Sequence, residues 1–349
     1  MNFLNNDIFN NKTILITGGS GSIGESLITI LMKNFTPKTI RILSRDETKQ
    51  LNLLKKFENN TEKLRFFIGD IRDKERLNRA MQNVDIVFHL AALKHVMACE
   101  YNPFEAIKTN VIGLQNLIEI CIENNVEKVV FTSTDKAATP CNTMGVTKLL
   151  GEKLITAANY YKGTAKTIFY SVRLGNVLGS RGSLIPIIKE QIEKRLPLTL
   201  THKDMTRYIM SSDSAVNLIL ETLNIAQGGE VFIFKMQAVK IIDLFYVLIK
   251  FYVNQQNNNI EKIQIKEIGM FAGEKLYEEL FSIEESGRTY EIDKMYVIVP
   301  QLTEVSNAIN LKLYDNIKKF DNTQPFNSRD TYLLSEEEIK EFLIINNLI

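Results

Sequence analysis

Between Thr17 and Gly24 the chain reads TGGSGSIG, which sets Gly18, Gly21 and Gly24 at GxxGxxG spacing between an apolar run, TILIT, and a helical pattern opening at Ile23. Glycine at such positions allows a tight turn, lets backbone approach a diphosphate and brings helix against strand. The amides of the first helical turn, here at Ser22 and Ile23, then donate to phosphate oxygens. The chemistry implied is capture of a dinucleotide pyrophosphate. A second apolar run ends ILSRDE. An acidic residue at that end accepts a bond from a ribose 2′-hydroxyl, whereas Ser44 and Arg45 suit a 2′-phosphate. NADP is therefore expected over NAD, although Asp46, next in the chain, keeps NAD open. Asp70 and Ile71, in FFIGDIRD, follow a third run at the place where adenine would lie. A fourth ends HLAALKH, where Ala91 and Ala92 are small enough to admit a cofactor closely and Lys94 is set to meet phosphate or sugar.

The elements that must position these residues are legible as repeated βα units: TILIT, a helix from Ile23, RILS, a helix from Asp46, RFFIGD, a helix near Lys74, then DIVFHLAA. KVVFTST follows a helical segment from Val111 to Asn124, and TIFYSVRLGNV follows a helix from Lys148. This alternation predicts an α/β fold, a Rossmann-type doubly wound parallel sheet with ligands at the carboxyl ends of its strands. Residues 1–180 are expected to form the NAD(P)-binding domain, with 212–236 returning to it through GEVFIF. Residues 181–349 are expected to form mainly a smaller substrate-binding lobe. NQQNNN at Asn254 and FDNTQPFNSRD near Phe320 read as surface loops, and SEEE from Ser335 as a capping box opening a last helix.

The 349 residues carry a net charge of +1 and 45% hydrophobic residues, which suits a globular chain and gives no overall field for nucleic acid or an acidic membrane. Cys99, Cys121 and Cys141 form no CxxC pair, and His89, His95 and His202 show no metal-ligand spacing. A reducing, cytoplasmic setting without a metal is expected. IIDLFYVLIKFYV, from Ile241, contains Asp243 and Lys250 and is too short to span a bilayer; it reads as a buried helix face. The start, MNFLNNDIFNNK, lacks the pattern of a signal peptide.

In order along the chain, TGGSGSIG, SRDE, GDIRD, AALKHV, STDKA, NxMGxTK, GNVLGSRGS, MTRY and GEKLYEEL resemble the soluble form of the UDP-N-acetylglucosamine 4,6-dehydratase family of polysaccharide biosynthesis, in its MGxTK branch. The match runs from about Lys12 to Ile298. Alone, Asp135-Lys136 would read as a surface ion pair; the resemblance gives it chemistry. That chemistry oxidises carbon 4 of the sugar, removes water across carbons 5 and 6 and returns hydride to carbon 6, leaving the cofactor unchanged. The resemblance implies that Asp135 protonates the departing hydroxyl, that Lys136 is the base at carbon 5, and that Thr134 bonds near the 4-oxygen. Lys136 must then be neutral, through burial or a neighbouring cation such as Lys148. Lys148 would also hold the nicotinamide ribose. Met144 stands where related reductases and epimerases carry the tyrosine of YxxxK, and it cannot take a proton. Asp135, helped by Thr134, must then also serve the 4-hydroxyl, with Met144 shaping the pocket.

The cofactor set implied by the resemblance also takes in Asn110. The substrate set is Lys94, His95, Asn176, Arg181, Ser183, Arg207 and Glu274. The family pattern RPGEK is broken by Phe271 and Ala272, so one diphosphate contact is missing, with Arg181, Arg207 or Arg288 available to replace it. The expected reaction converts UDP-GlcNAc or a related UDP-hexosamine to a UDP-2-acetamido-2,6-dideoxy-4-ketohexose in a homo-oligomer. GEKLYEEL followed by EESGRTYE leans toward retention at carbon 5. Alternatives are the carbon-5-inverting dehydratase, a UDP-hexosamine 4-epimerase and a non-catalytic NADP-binding scaffold.

Overall fold

The computed structural model describes residues 6–255, 263–320 and 326–349. The first five residues, the NQQNNN patch from Gln256 onward and part of the segment after Phe320 lie outside them. β1 (Thr13–Thr17) is buried along its whole length, as a central strand of a covered parallel sheet must be. It leads through the glycine turn into α1 (Ser22–Asn34). β2 (Thr39–Ser44), α2 (Glu47–Lys56), β3 (Leu64–Ile68), α3 (Lys74–Met81) and β4 (Ile86–His89) complete the first half. Asp46 and Asp73 cap α2 and α3 by accepting from backbone amides three residues on.

The next helix starts earlier than Val111. α4 (Val96–Tyr101) and α5 (Pro103–Ile107) come first, α5 with its proline at the favoured N-terminal position, and a wide π turn, Lys108–Ile112, joins them to α6 (Gly113–Glu123). β5 (Lys128–Thr134) follows. α7 (Thr143–Tyr161) begins five residues before Lys148 because Asn142 caps it, its side chain accepting from the Gly145 amide at 2.8 Å. β6 ends at Leu174, not Val177. At Gly175 a side chain would meet Met236 Sδ at 2.6 Å, and the chain turns off there into a separate strand, β7 (Asn176–Val177).

β7, β9 (Thr206–Met210) and β11 (Gln237–Lys240) make a small second sheet, and β8 (Leu198–Leu200) pairs with β12 (Ile265–Glu267). α8 (Leu184–Glu193), α10 (Ile241–Gln255) and a terminal helix, Glu336–Ile345, pack with these strands around a core that includes Ile188, Leu244, Leu248 and Leu343. Ser335 and Glu338 form the expected capping box of that terminal helix. Among the described residues no helix is long and apolar enough to cross a membrane.

α9 (Ser212–Ile225) carries the chain back to β10 (Val231–Phe234), which lies parallel to β6. β13 (Thr289–Ile292), β14 (Met295–Ile298) and β15 (Lys318–Lys319) then extend the same sheet antiparallel, giving the order β15-β13-β14-β10-β6-β5-β4-β1-β2-β3. The span 181–349 expected to form mainly the substrate lobe thus takes in three further strands, β13, β14 and β15, that belong to the main sheet. Their two-residue turn at Asp293-Lys294, with Asp293 at φ 37°, is what folds them into a hairpin against β10.

Candidate active site

A cleft of about 930 Å³ opens at the carboxyl ends of β1, β2, β4, β5 and β6 and runs without interruption from Arg45 to Glu274. At its floor Gly18 has φ +69°, and a side chain there would lie 2.8 Å from the Ala91 amide nitrogen. A side chain at Gly24 would lie 2.5 Å from the Gly19 Cα. Gly21 caps α1 with no side chain, so the amides of Ser22, Ile23 and Gly24 have no carbonyl within the helix. An open helix start beside a cradle that only glycine fits is the shape a dinucleotide pyrophosphate requires.

At the adenosine end, Ser44 Oγ accepts from Gln50 Nε2 at 2.9 Å, and Arg45 stands 3.8 Å from Asp70. Arg72 holds Asp70 more tightly, with Nη2 at 2.7 Å. Lys49, which the sequence reading passed over, also lines this end, paired to Asp46 at 2.7 Å. Ile71 lines the cleft and supports Gly113. Asn110 is a correction: it is buried and absent from the cleft wall. Its Oδ1 accepts from the Leu93 amide at 2.8 Å, and its Nδ2 donates to Leu93 O and Thr147 Oγ1, both at 3.0 Å. It holds the Ala91–His95 loop behind the cleft wall, within a π turn, Lys108–Ile112.

Four charged side chains meet where β5 ends. Asp135 is 0% exposed; its Oδ1 accepts from Thr134 Oγ1 at 2.9 Å and from Lys136 Nζ at 3.0 Å. Its Oδ2 has no partner among the described residues. Thr134 and Lys136 line the cleft in front of it. Lys136 Nζ also donates to Asn176 Oδ1 at 3.2 Å and stands 3.2 Å from Glu278 Oε1, which Arg207 Nε approaches at 3.7 Å. Burial pulls the Lys136 amine down, but Asp135 and Glu278 outweigh it and hold the amine above the ordinary lysine range. The two carboxylates therefore oppose the neutral Lys136 that its expected role as a base requires. The cation opposing the carboxylates is Arg207, not Lys148.

Lys148 lines the cleft, donates to Thr132 O at 2.8 Å and lies 4.7 Å above the Phe131 ring. Burial lowers its pKa to about 8, against a smaller opposing pull from Glu152. Met144 packs with Cys99, Ala106 and Leu93 and turns an apolar surface to the cleft. Glu278 escaped the sequence reading although GEKLYEEL was quoted; its segment is irregular, so no periodicity marks its side chain as buried.

The outer wall comes from the second lobe. Arg181 N donates to Ser22 Oγ at 3.2 Å and its Nη2 to Ser20 O at 2.9 Å, so this arginine is fastened to the glycine turn. Lys94 Nζ donates to Arg181 O at 2.9 Å, and Gly182 leaves room for His95, whose Cε1 a side chain there would meet at 2.8 Å. Ser183 begins α8 with its hydroxyl buried and unpartnered among the described residues. Arg207 donates to the carbonyls of Thr206, Lys275 and Leu276. Phe271 lines the cleft, and Glu274 Oε2 accepts from its amide at 2.9 Å. Arg288 is elsewhere: with Glu152 and Glu285 it lines a separate cavity of about 370 Å³ and donates to Val299 O, so it replaces no contact in this cleft. Among the described residues no cluster of His, Cys, Asp and Glu could hold a metal ion.

Comparison with known proteins follows this geometry. The model of a family described as polysaccharide biosynthesis protein matches residues 14–300. A UDP-N-acetylglucosamine 4,6-dehydratase (inverting) of Campylobacter jejuni is 45% identical over 84% of this chain and 85% of its own length. A UDP-glucose 4-epimerase of Rickettsia felis is 38% identical over 97% and 96%. The X-ray structure of Pen from Bacillus thuringiensis superposes with a TM-score of 0.91 at 40% identity, covering 98% of this chain and 99% of the other.

Proposed function

Because the chain belongs to the polysaccharide biosynthesis protein family, among the UDP-N-acetylglucosamine 4,6-dehydratases, we propose that it is a nicotinamide-dependent hydro-lyase that converts UDP-GlcNAc to a UDP-4-keto-6-deoxyhexosamine. The observation that carries this reading is the Thr134–Asp135–Lys136 cluster at the mouth of the cofactor cleft. Gly18, Gly21, Ser22, Ile23 and Gly24 would hold NAD(P), which would supply two-electron acceptance at carbon 4 and its return at carbon 6. Ser44, Arg45 and Lys49 give its adenosine end a cationic edge, which favours NADP. Ala91 and Ala92 would leave room for its rings, and Lys148 would be the cation that meets it in the cleft.

Thr134 Oγ1 stands between the cleft and the buried Asp135, so the 4-hydroxyl proton passes to Asp135 through Thr134. The same carboxyl, once protonated, is the acid for the hydroxyl leaving carbon 6. Lys136, having released its own proton to water, removes the carbon-5 proton, and carbon 5 takes a proton on its opposite face as hydride returns to carbon 6. Met144 keeps that side of the sugar dry. Asn176, Arg207, Glu274, Lys94, His95 and Ser183 line the wall where the nucleotide lies. Residues 1–180, 212–236 and 289–319 serve as the cofactor domain, and the rest as the substrate lobe.

The segment on which retention leaned, EESGRTYE, sits away from the cleft, with Glu285 bonded to buried Arg173. With an inverting relative at 45% identity, inversion at carbon 5 is the better-supported outcome. Incubation with UDP-GlcNAc in deuterated water, followed by proton NMR, tests the whole reading. A 4-keto-6-deoxy product with inverted carbon-5 couplings supports it, UDP-GalNAc would support the epimerase suggested by the Rickettsia relative, and no turnover would leave a binding scaffold.

The chain is also proposed to act as a cytoplasmic homodimer. α5 and α7 present Phe104, Val146 and Leu150 to solvent at 61%, 52% and 44% exposure, an apolar stripe suited to a second copy.

A further inference from the structure

Glu278 is 2% exposed, and both faces of its backbone are pinned: its amide donates to Ser328 Oγ at 3.0 Å and its carbonyl accepts from the Ser328 amide at 2.8 Å. Ser328 Oγ is itself bonded to Thr206 Oγ1 at 2.8 Å. The carboxylate so fixed puts one oxygen 3.2 Å from Lys136 Nζ, while the other is buried with no hydrogen-bond partner among the described residues. An acceptor left idle in so dry a place costs on the order of 1–3 kcal/mol. A structural ion pair needs no such spare oxygen; an ammonium that gains and loses a proton can use it as a second place to donate.

Resting on the dehydratase reading, we propose that Glu278 is a positioning residue that holds the Lys136 amine at the cleft wall and governs when that amine carries a proton. The groups facing Lys136 are few. Asp135 precedes it in its own turn, Asn176 reaches it from β7, Glu278 comes from the 271–280 segment, and Arg207 from β9 meets Glu278. Asp135 also has its own proton traffic, bonded as it is to Thr134 at the cleft. Glu278 does not line the cleft, so it stands apart from the proposed proton transfers. Burial pulls the Lys136 amine toward the neutral form, and the pair of carboxylates outweighs it. Because only the neutral amine acts as a base, the loss of Glu278 must move activity to lower pH.

The test uses the full-length protein with E278Q and E278D. Mass-spectrometric mapping of acetic anhydride labelling against pH reads the neutral fraction of Lys136 directly, without turnover. In E278Q the labelling midpoint falls by about 1–3 units, the range for losing an opposite charge at this distance. The acid limb of kcat moves down with it, while KM for UDP-GlcNAc stays within about twofold because Glu278 does not touch substrate. E278D, which keeps the charge, restores most of the wild-type profile and serves alone if E278Q does not fold. An unmoved labelling midpoint in E278Q, or turnover lost equally at every pH, overturns the proposal. If the wild type makes no 4-keto product, the dehydratase reading fails by itself, and the labelling still reports whether Glu278 controls Lys136.

Discussion

Gly145 and the Lys136 carbonyl touch so closely that a Cβ on Gly145 would overlap the carbonyl oxygen. The first turn of α7 is thereby pressed onto the peptide that carries the lysine, and the missing side chain is what lets it sit there. Alanine should favour a helix interior by about 1 kcal/mol over glycine, so any loss in Gly145→Ala comes from pushing Lys136 out of place. We expect kcat to fall about 10–100-fold, the effect of misplacing a reacting group by an ångström or less. Circular dichroism and thermal melting should show the fold kept. Full activity in Gly145→Ala would mean that the turn tolerates displacement.

Asp135→Asn and Lys136→Ala should each reduce product formation by about 10²–10⁴-fold, the range of a lost acid or base. Both should keep bound cofactor, since neither residue lies in the glycine cradle. Bound nucleotide is read by absorbance after denaturation, and product by NMR. Near-normal turnover in either variant would remove the proposed acid–base assignment.

Lys148 supplies a pH signature for cofactor binding. Its pKa in the free protein is lowered to about 8 by burial, so the cation fades as pH rises through 8. An anionic cofactor beside it favours the charged form, so binding should take up a proton near pH 8 and above, and affinity should weaken between pH 7 and 9. Calorimetry in two buffers of different ionisation enthalpy measures that uptake. Lys148→Met should abolish it and bind with little pH dependence over the same interval. If wild type and Lys148→Met bind alike across that range, Lys148 is not a cofactor contact.

Leu150→Glu places a charge in the middle of the stripe formed by Phe104, Val146 and Leu150. Light scattering should find the wild type dimeric at micromolar concentration and the variant monomeric. A monomeric wild type would discard the stripe as an interface.

The sheet and the glycine cradle were readable because periodicity and turn chemistry are local. TILIT and KVVFTST are continuous apolar runs, and each ends in a residue that lines the cleft or approaches it. The charge on Lys136 was not readable. It depends on Asp135 beside it and also on Glu278, 142 positions away in the chain, arriving through an irregular segment that carries no pattern. Arg288 shows the reverse error: near the motif in sequence, it folds into a separate cavity with Glu285. Asn110, placed by resemblance with the cofactor, closes three contacts to Leu93 and Thr147 with its two donors and acceptor, a tie between distant segments that no local pattern marks.

Arg181 reaches from the second lobe across the cleft and fastens to Ser20 and Ser22, with Lys94 holding its carbonyl from the other side. A nucleotide lying in the glycine turn would be enclosed by this bridge. In the proposed cycle the resident cofactor finishes each round in the redox state in which it began, so a molecule kept in place could serve many rounds. The flux of sugar through the enzyme would then be insulated from the balance of oxidised and reduced nicotinamide in its surroundings. Arg181→Ala, by loosening the bridge, would expose it to that balance.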